Sequence, residues 1–218
     1  MKTKLIFILI FANLIIFAQT KDGFQIARLK YSGGGDWYND PSAEVNLLKF
    51  VQDNTSVKVN PEYVFVDVST SDIFQYPFLF MTGHGTVLFS DSDAERLRLF
   101  LENGGFLYVD DDYGLDKSFR KEIKKVFPEK ELVELPFNYP IYNILYPFPY
   151  GVPKIHEHDN KPPQGFGIFI DKRLAVYYTY ESNPSDGWVD GNVHNDPEEK
   201  RIEALKFGTN IVLFSITQ

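Results

Sequence analysis

Residues 104–116, GGFLYVDDDYGLD, decide how the chain is read. The apolar run 106–109 leads straight into Asp110, Asp111 and Asp112. A short run rich in aromatic and β-branched residues reads as a buried strand. Three adjacent carboxylates repel one another and are costly to take out of water. The two halves agree if the strand lies inside a parallel α/β sheet. Its carboxyl end then opens on the crevice where working loops gather, and water or a cation can reach the aspartates.

Working outward, Asn103, Gly104 and Gly105 close a preceding helix. Residues 116–127 form a basic-faced helix stopped by Pro128. Upstream, residues 24–31, 63–68 and 78–81 read as strands. One helix is expected to start with Asp40 as N-cap and Pro41 as first residue, carrying Val45, Leu47, Leu48 and Val51. A second is capped by Ser90 or Asp91 and carries Leu97, Leu99, Phe100 and Leu101. Downstream, residues 132–135 read as a short strand, and 167–170 with 174–180 as a hairpin turning at 171–173. Residues 137–150, rich in Pro and Tyr, form either a lid or a loop packed on its own side chains. The segment from residue 198 starts as an amphipathic helix, and residues 210–217 suit a helix or a strand. Strands alternating with helices predict an α/β fold, a mostly parallel sheet with helices on both faces, in a single domain over residues 20–218.

Residues 1–19 read as a signal peptide: Lys2 and Lys4, an apolar run over 5–17, then Ala18. That run is short for a membrane span, although a retained N-terminal anchor is the alternative. An exported protein, periplasmic or extracellular, is expected, with no span once the signal is cleaved. The formal charge of −8 disfavours nucleic acid as a partner. The chain has no cysteine, which excludes a lipoprotein anchor, disulfides and thiol catalysis. Its stability has to come from packing, for which 20 Phe and 13 Tyr are ample.

Several segments occur in a familiar order: FQIARLKYSGGGDWY, YPFLFMTGHG, LRLFLENGGFLYVDDDYGLDKSFRKEI, VFPEKELVELP, PIYN and DKRLAVYYTYESNPSDGW. In this combination the chain resembles domain-of-unknown-function family number 4159, from residue 24 to the end. The resemblance implies a flavodoxin-like, class I glutamine amidotransferase-like fold. In that group a strand following two glycines delivers the nucleophile on a sharp turn, which puts Asp110 at or beside that turn. It brings no established reaction, and without cysteine the thioester route of amidotransferases is closed. The family segment that often has histidines around Pro-x-Tyr reads Tyr139-Pro140-Ile141-Tyr142-Asn143 here. His156 or His158 could take that place.

The residues themselves suggest a crevice. Asp110, Asp111 and Asp112 suit a hard divalent cation, or acid–base work, or simply helix capping. His84, between Gly83 and Gly85, is an acid, base or ligand candidate on a tight turn. The glycine-rich loop 32–38 lacks a phosphate-binding pattern, and Asp36 and Asp40 would repel phosphate. It is expected to fold across the sheet edge with Asp36 and Trp37 facing the cleft. His84 and Asp110 are the catalytic candidates; Asp36, Trp37, Gly83, Asp111, Asp112 and Trp188 are the ligand-binding ones. His156 and His158 in HEHD read preferentially as a solvated loop, and His194 as an exposed turn residue.

Two functions compete. The favoured one is a non-catalytic binding or accessory module of the cell envelope, acting with envelope proteins. The alternative is a metal-assisted or acid/base hydrolase-like enzyme on a small or sugar-like ligand. Convergence of His84 and Asp110 in a pocket would favour the enzyme; if they point apart or are sealed in helix caps, an enzyme built on that pair fails.

Overall fold

Strands without a polar residue in their paired segment require cover on both faces. β3 (Phe78–Met81) is wholly apolar, and β4 (Phe106–Asp110) is apolar up to its last residue. They pair in parallel at the middle of a sheet. β1 (Ile26–Lys30) pairs in parallel with β3 and with β2 (Phe65–Asp67). β7 (Arg173–Tyr180) joins β4 from the other side, also parallel. β6 (Gln164–Ile170) and β5 (Val133–Glu134) continue the sheet antiparallel. The order is β2-β1-β3-β4-β7-β6-β5. The sheet is therefore mixed: among the described strands β6 alone runs against the rest. The computed structural model describes residues 23–156 and 158–218. The expected signal peptide, residues 1–19, lies outside the described residues.

Period-2 alternation divides the strands between two cores. Phe80, Tyr108 and Tyr177 point to the face covered by α1 (Ala43–Asn54) and α4 (Glu198–Thr217), meeting Leu47, Leu48, Phe207 and Ile211. Leu79, Met81, Leu107 and Val109 point to α2 (Asp91–Glu102) and α3 (Asp116–Val126), meeting Leu97, Phe100, Phe119 and Ile123. Helices thus cover both faces. No helix among the described residues is long and apolar enough to cross a membrane.

One local expectation is corrected and two open alternatives are decided. α1 starts at Ala43 after Ser42, not at Pro41; Asp40 is left-handed (φ 50°) and belongs to the loop. α4 stays helical to Thr217, so residues 210–217 form no strand. A side chain at Gly208 would come within 2.6 Å of Leu47 and 2.8 Å of Trp188, so glycine lets α4 press on α1. Residues 137–150 are a packed loop and not a lid. Ile141 and Tyr142 are core residues, and the Asn210 side chain bonds the backbone of Leu145 and Tyr146. By contrast, Ser90 caps α2 in a reciprocal pair with Asp93, in line with the sequence.

The loop after β1 is held by a buried cation. Arg28 is 0 % exposed and forms a two-pronged pair with Glu44 of α1, at 2.5 and 2.8 Å. Its remaining N–H groups donate to the carbonyls of Trp37, Asn39 and Asp40. Removing one partner of such a pair leaves a buried charge alone. Glu44→Ala is therefore expected to cost about 3–5 kcal/mol in chemical denaturation. The double variant Arg28→Met/Glu44→Leu should recover only part of it, because the loop carbonyls lose their donors; full recovery would show that the loop does not need Arg28.

Candidate functional site

The loops after β1, β3, β4 and β7 meet at the carboxyl end of the sheet, beside the point between β1 and β3 where the strand order reverses. Backbone bonds zip them together: Gly35 N–H to the Thr86 carbonyl, Asp36 N–H to the His84 carbonyl, and Gly85 N–H to the Tyr113 carbonyl. Gly83 has φ 136°, and a Cβ there would lie 2.5 Å from the Tyr31 hydroxyl and 3.0 Å from Asp36 Oδ1. Only glycine lets the chain pass that close and turn His84 toward Asp36.

His84 is grasped twice by Asp36. Its backbone N–H donates to Asp36 Oδ1 at 2.5 Å, and its ring Nδ1 is 3.0 Å from Asp36 Oδ2. The same Nδ1 lies 3.3 Å from Asp112 Oδ2. The Asp36 carboxylate therefore fixes Nδ1 as the N–H, which leaves Nε2 as the basic nitrogen on a ring that is 52 % exposed. Asp112 is held in turn by Asn39 Nδ2 at 2.5 Å and Asn183 Nδ2 at 2.9 Å.

The three aspartates part company. Asp110 is fully buried: Oδ1 accepts from the Thr179 hydroxyl (2.6 Å), Oδ2 from Ser185 N–H (2.8 Å) and Ser185 hydroxyl (2.7 Å). Burial outweighs these bonds and, with the charge of Asp186, raises its pKa to about 7. Asp111 turns to the other side and accepts from Leu115 N–H just ahead of α3. Burial raises it to about 6, partly offset by that bond. Asp112 is pushed well up, by burial first, then by the charges of Asp186, Asp110 and Asp40. Asp186 is close enough for a carboxyl–carboxyl hydrogen bond, which needs a shared proton.

Behind this group lie two more imidazoles. His156 Nδ1 is 2.6 Å from Asp186 Oδ2, and its Nε2 is 3.0 Å from Asp196 Oδ1. The bond to Asp186 is the main reason its pKa rises to about 9, so the ring is a cation at neutral pH. His194 Nε2 lies 3.1 Å from Asp40 Oδ2. His158 stacks on Tyr113 with ring centres 4.7 Å apart.

Asp36, Gly83, His84 and Asp112 thus come together as expected, while other candidates go elsewhere. His84 and Asp110 do not converge: Asp110 is sealed under Thr179 and Ser185. Asp111 serves the start of α3. Trp37 is set against Phe65 at the sheet edge, ring centres 5.2 Å apart. Trp188 is a core residue, 1 % exposed, packed on Phe80 and Tyr108 with its N–H given to the Ala204 carbonyl. His156 and His158 are not solvated-loop residues, the first pairing with carboxylates and the second stacking on Tyr113, and His194, read as an exposed turn residue, pairs with Asp40. The residues missed from sequence, Asn39, Asn183, Ser185, Asp186 and Asp196, are short polar groups in loops. The available signal was ESNPSDGW, directly after a strand that proves to be part of the parallel set.

The fold and the site define an α/β domain with an acidic, histidine-bearing cluster of side chains at the carboxyl ends of its parallel strands. The sequence profile of the family described as a domain of unknown function (DUF4159) matches residues 25–216, and the chain belongs to that family. No curated protein matches it.

A raised carboxyl pKa favours the fold in its protonated form. The contribution of Asp110 is fully present below the ordinary Asp value near 4. It is lost as pH rises through about 7. The melting temperature of the chelator-treated protein, relative to Asp110→Asn, is therefore expected to be several degrees more favourable at about pH 5 than at about pH 8. A difference that is constant with pH would show that Asp110 ionises as freely folded as unfolded.

Proposed function

We propose that the crevice is an acid–base site for hydrolysis of a small, uncharged or cationic polar ligand such as a sugar derivative, in an exported domain with a flavodoxin-like, glutamine amidotransferase-like core. The pair of His84 with Asp110 expected for an enzyme is not formed; the observation that carries this reading is instead the half-exposed His84 ring, with Nδ1 held 3.0 Å from Asp36 and 3.3 Å from Asp112. A base oriented through its far nitrogen is the arrangement general-base catalysis needs. Nε2 takes a proton from an attacking water and returns it to the leaving group. Water serves as nucleophile: the chain has no cysteine, and the Ser185 hydroxyl is committed to Asp110. The surrounding carboxylates disfavour anionic substrates. The order β2-β1-β3-β4-β7 of the parallel strands supports the flavodoxin-like assignment. Lys2, Lys4 and the apolar run behind them support export.

A second reading is the non-catalytic accessory module of the envelope. It is favoured by a groove of ≈ 610 Å³ lined by residues 146–153 and by Glu199, Ile202 and Lys206 of α4. Tyr150, 83 % exposed, stands at that groove and gives a partner an aromatic contact.

A panel of chromogenic glycosides, esters and phosphoesters separates the two. Turnover of an uncharged substrate is expected, falling about 10²–10⁴-fold in His84→Ala with the fold intact. No turnover of any panel member, or turnover unchanged in His84→Ala, would end the acid–base reading and leave the accessory module.

A further inference from the structure

The groups behind His84 have a chemistry that proton transfer does not use. Asp40 comes from the loop ahead of α1, Asp186 from the short turn after β7, and His194 from the loop ahead of α4. One ligand atom of each lies within 4.8 Å of the other two. Asp186 is 2 % exposed, and its Oδ1 is buried and receives no N–H or hydroxyl hydrogen bond; Asp112, near enough to share a proton with Asp186, is itself a carboxyl and offers no permanent donor. That oxygen is 3.9 Å from His194 Nε2, too far for a hydrogen bond. No Lys or Arg is paired with Asp40 or Asp186 among the described residues; their charged partners are histidines. A buried carboxylate oxygen without a donor is costly, and something has to meet it.

We propose that Asp40, Asp186 and His194 form a binding site for one divalent transition-metal ion, Zn²⁺ or a close first-row relative such as Mn²⁺. Two carboxylate oxygens and one imidazole nitrogen are a donor set these ions accept; the nitrogen argues against Ca²⁺ and Mg²⁺, and the absence of sulfur against soft ions. Ligand atoms about 2.1 Å from a tetrahedral ion stand about 3.4 Å apart. His194 Nε2 sits 3.1 Å from Asp40 Oδ2 and 3.9 Å from Asp186 Oδ1, on either side of that spacing.

The outer contacts fit as well. Asp186 Oδ2 is engaged by His156 Nδ1 at 2.6 Å and Asn183 Nδ2 at 3.2 Å, which aims Oδ1 away from them. His156 is held from behind by Asp196. Asp40 keeps its left-handed backbone while its carbonyl accepts from Arg28 Nη2 at 3.4 Å. Such second contacts orient metal ligands and tune their affinity. With three protein ligands the ion keeps an open position for water or substrate.

The test is calorimetric titration of the purified, chelator-stripped protein with Zn²⁺, Mn²⁺ and Mg²⁺ in separate runs. Binding of one Zn²⁺ or Mn²⁺ per chain is expected, with Mg²⁺ much weaker. His194→Gln, a change at a partly exposed ring that spares the fold, is expected to weaken binding by more than the roughly 10–100-fold typical of an outer-contact change. His156→Gln should fall within that range, and His84→Ala should bind as the parent does. Replacement by Co²⁺ should give visible absorption that His194→Gln lacks. Absence of binding by Zn²⁺ and Mn²⁺, or equal affinity in His194→Gln, overturns the proposal. Loss of binding in His84→Ala with retention in His194→Gln also overturns it, by placing the ion at the outer pair. Since His84 is tested by turnover and His194 by binding, either can fail without the other.

Discussion

The pair between Arg28 and Glu44 is the constraint on which the crevice rests. A guanidinium with no exposed surface, lying 4.8 Å from the centre of the Phe80 ring, is stable only if its donors are met. Glu44 meets two of them and anchors α1 to β1. The others gather the carbonyls of Trp37, Asn39 and Asp40, which gives the glycine-rich loop its path. That path brings Asn39 to Asp112 and Asp40 to His194. A charge inside the sheet layer thus determines where side chains at its edge can stand. Lysine could not replace it, because a single ammonium cannot match a carboxylate with two parallel bonds and still reach three carbonyls.

Carboxyl groups outnumber imidazoles at the crevice, and the balance is struck in three ways. Asp110 is surrounded by hydroxyl and amide donors, Asp112 is driven toward its neutral form, and His156 supplies a full positive charge between Asp186 and Asp196. Asp36 remains partly in water beside His84. The site therefore grades from a wet outer dyad to a dry inner cluster. Asp110, Asp111 and Asp112 acquire different protonation behaviour through burial, hydrogen bonding and neighbouring charge together.

Much of the architecture was legible from local pattern. The apolar runs at 78–81 and 106–109, the serine cap of α2 and the glycine stop after it carry their conformation in a few residues. The meeting of Asp36 with His84 was likewise suggested by strand-end loops with glycines. Strand order was not legible. Residues 164–180 do form a hairpin, but its second strand inserts next to β4 as a parallel neighbour, and nothing in a hairpin pattern says so. The loop after that strand therefore went unread as a site loop, and Asp186 with it. Trp188 was misread for a related reason: an aromatic in a polar loop gives no sign of which way it turns until α4 is in place beneath it.

The position of β7 has a bearing on how the chain acquires its fold. β4 is followed by more than sixty residues before its second neighbour arrives, and only Leu107, Tyr108, Val109 and Asp110 pair with it. Until then β4 is an open edge, apolar and able to accept any extended segment, the kind of surface that recruits other chains. Late closure by a distant strand implies slow folding for the size of the protein. The aspartates that end β4 would then have a role before any ligand is met. Carried on an unpaired edge they are charged and hydrated, and they deter misdirected pairing until Thr179 and Ser185 arrive to cover Asp110.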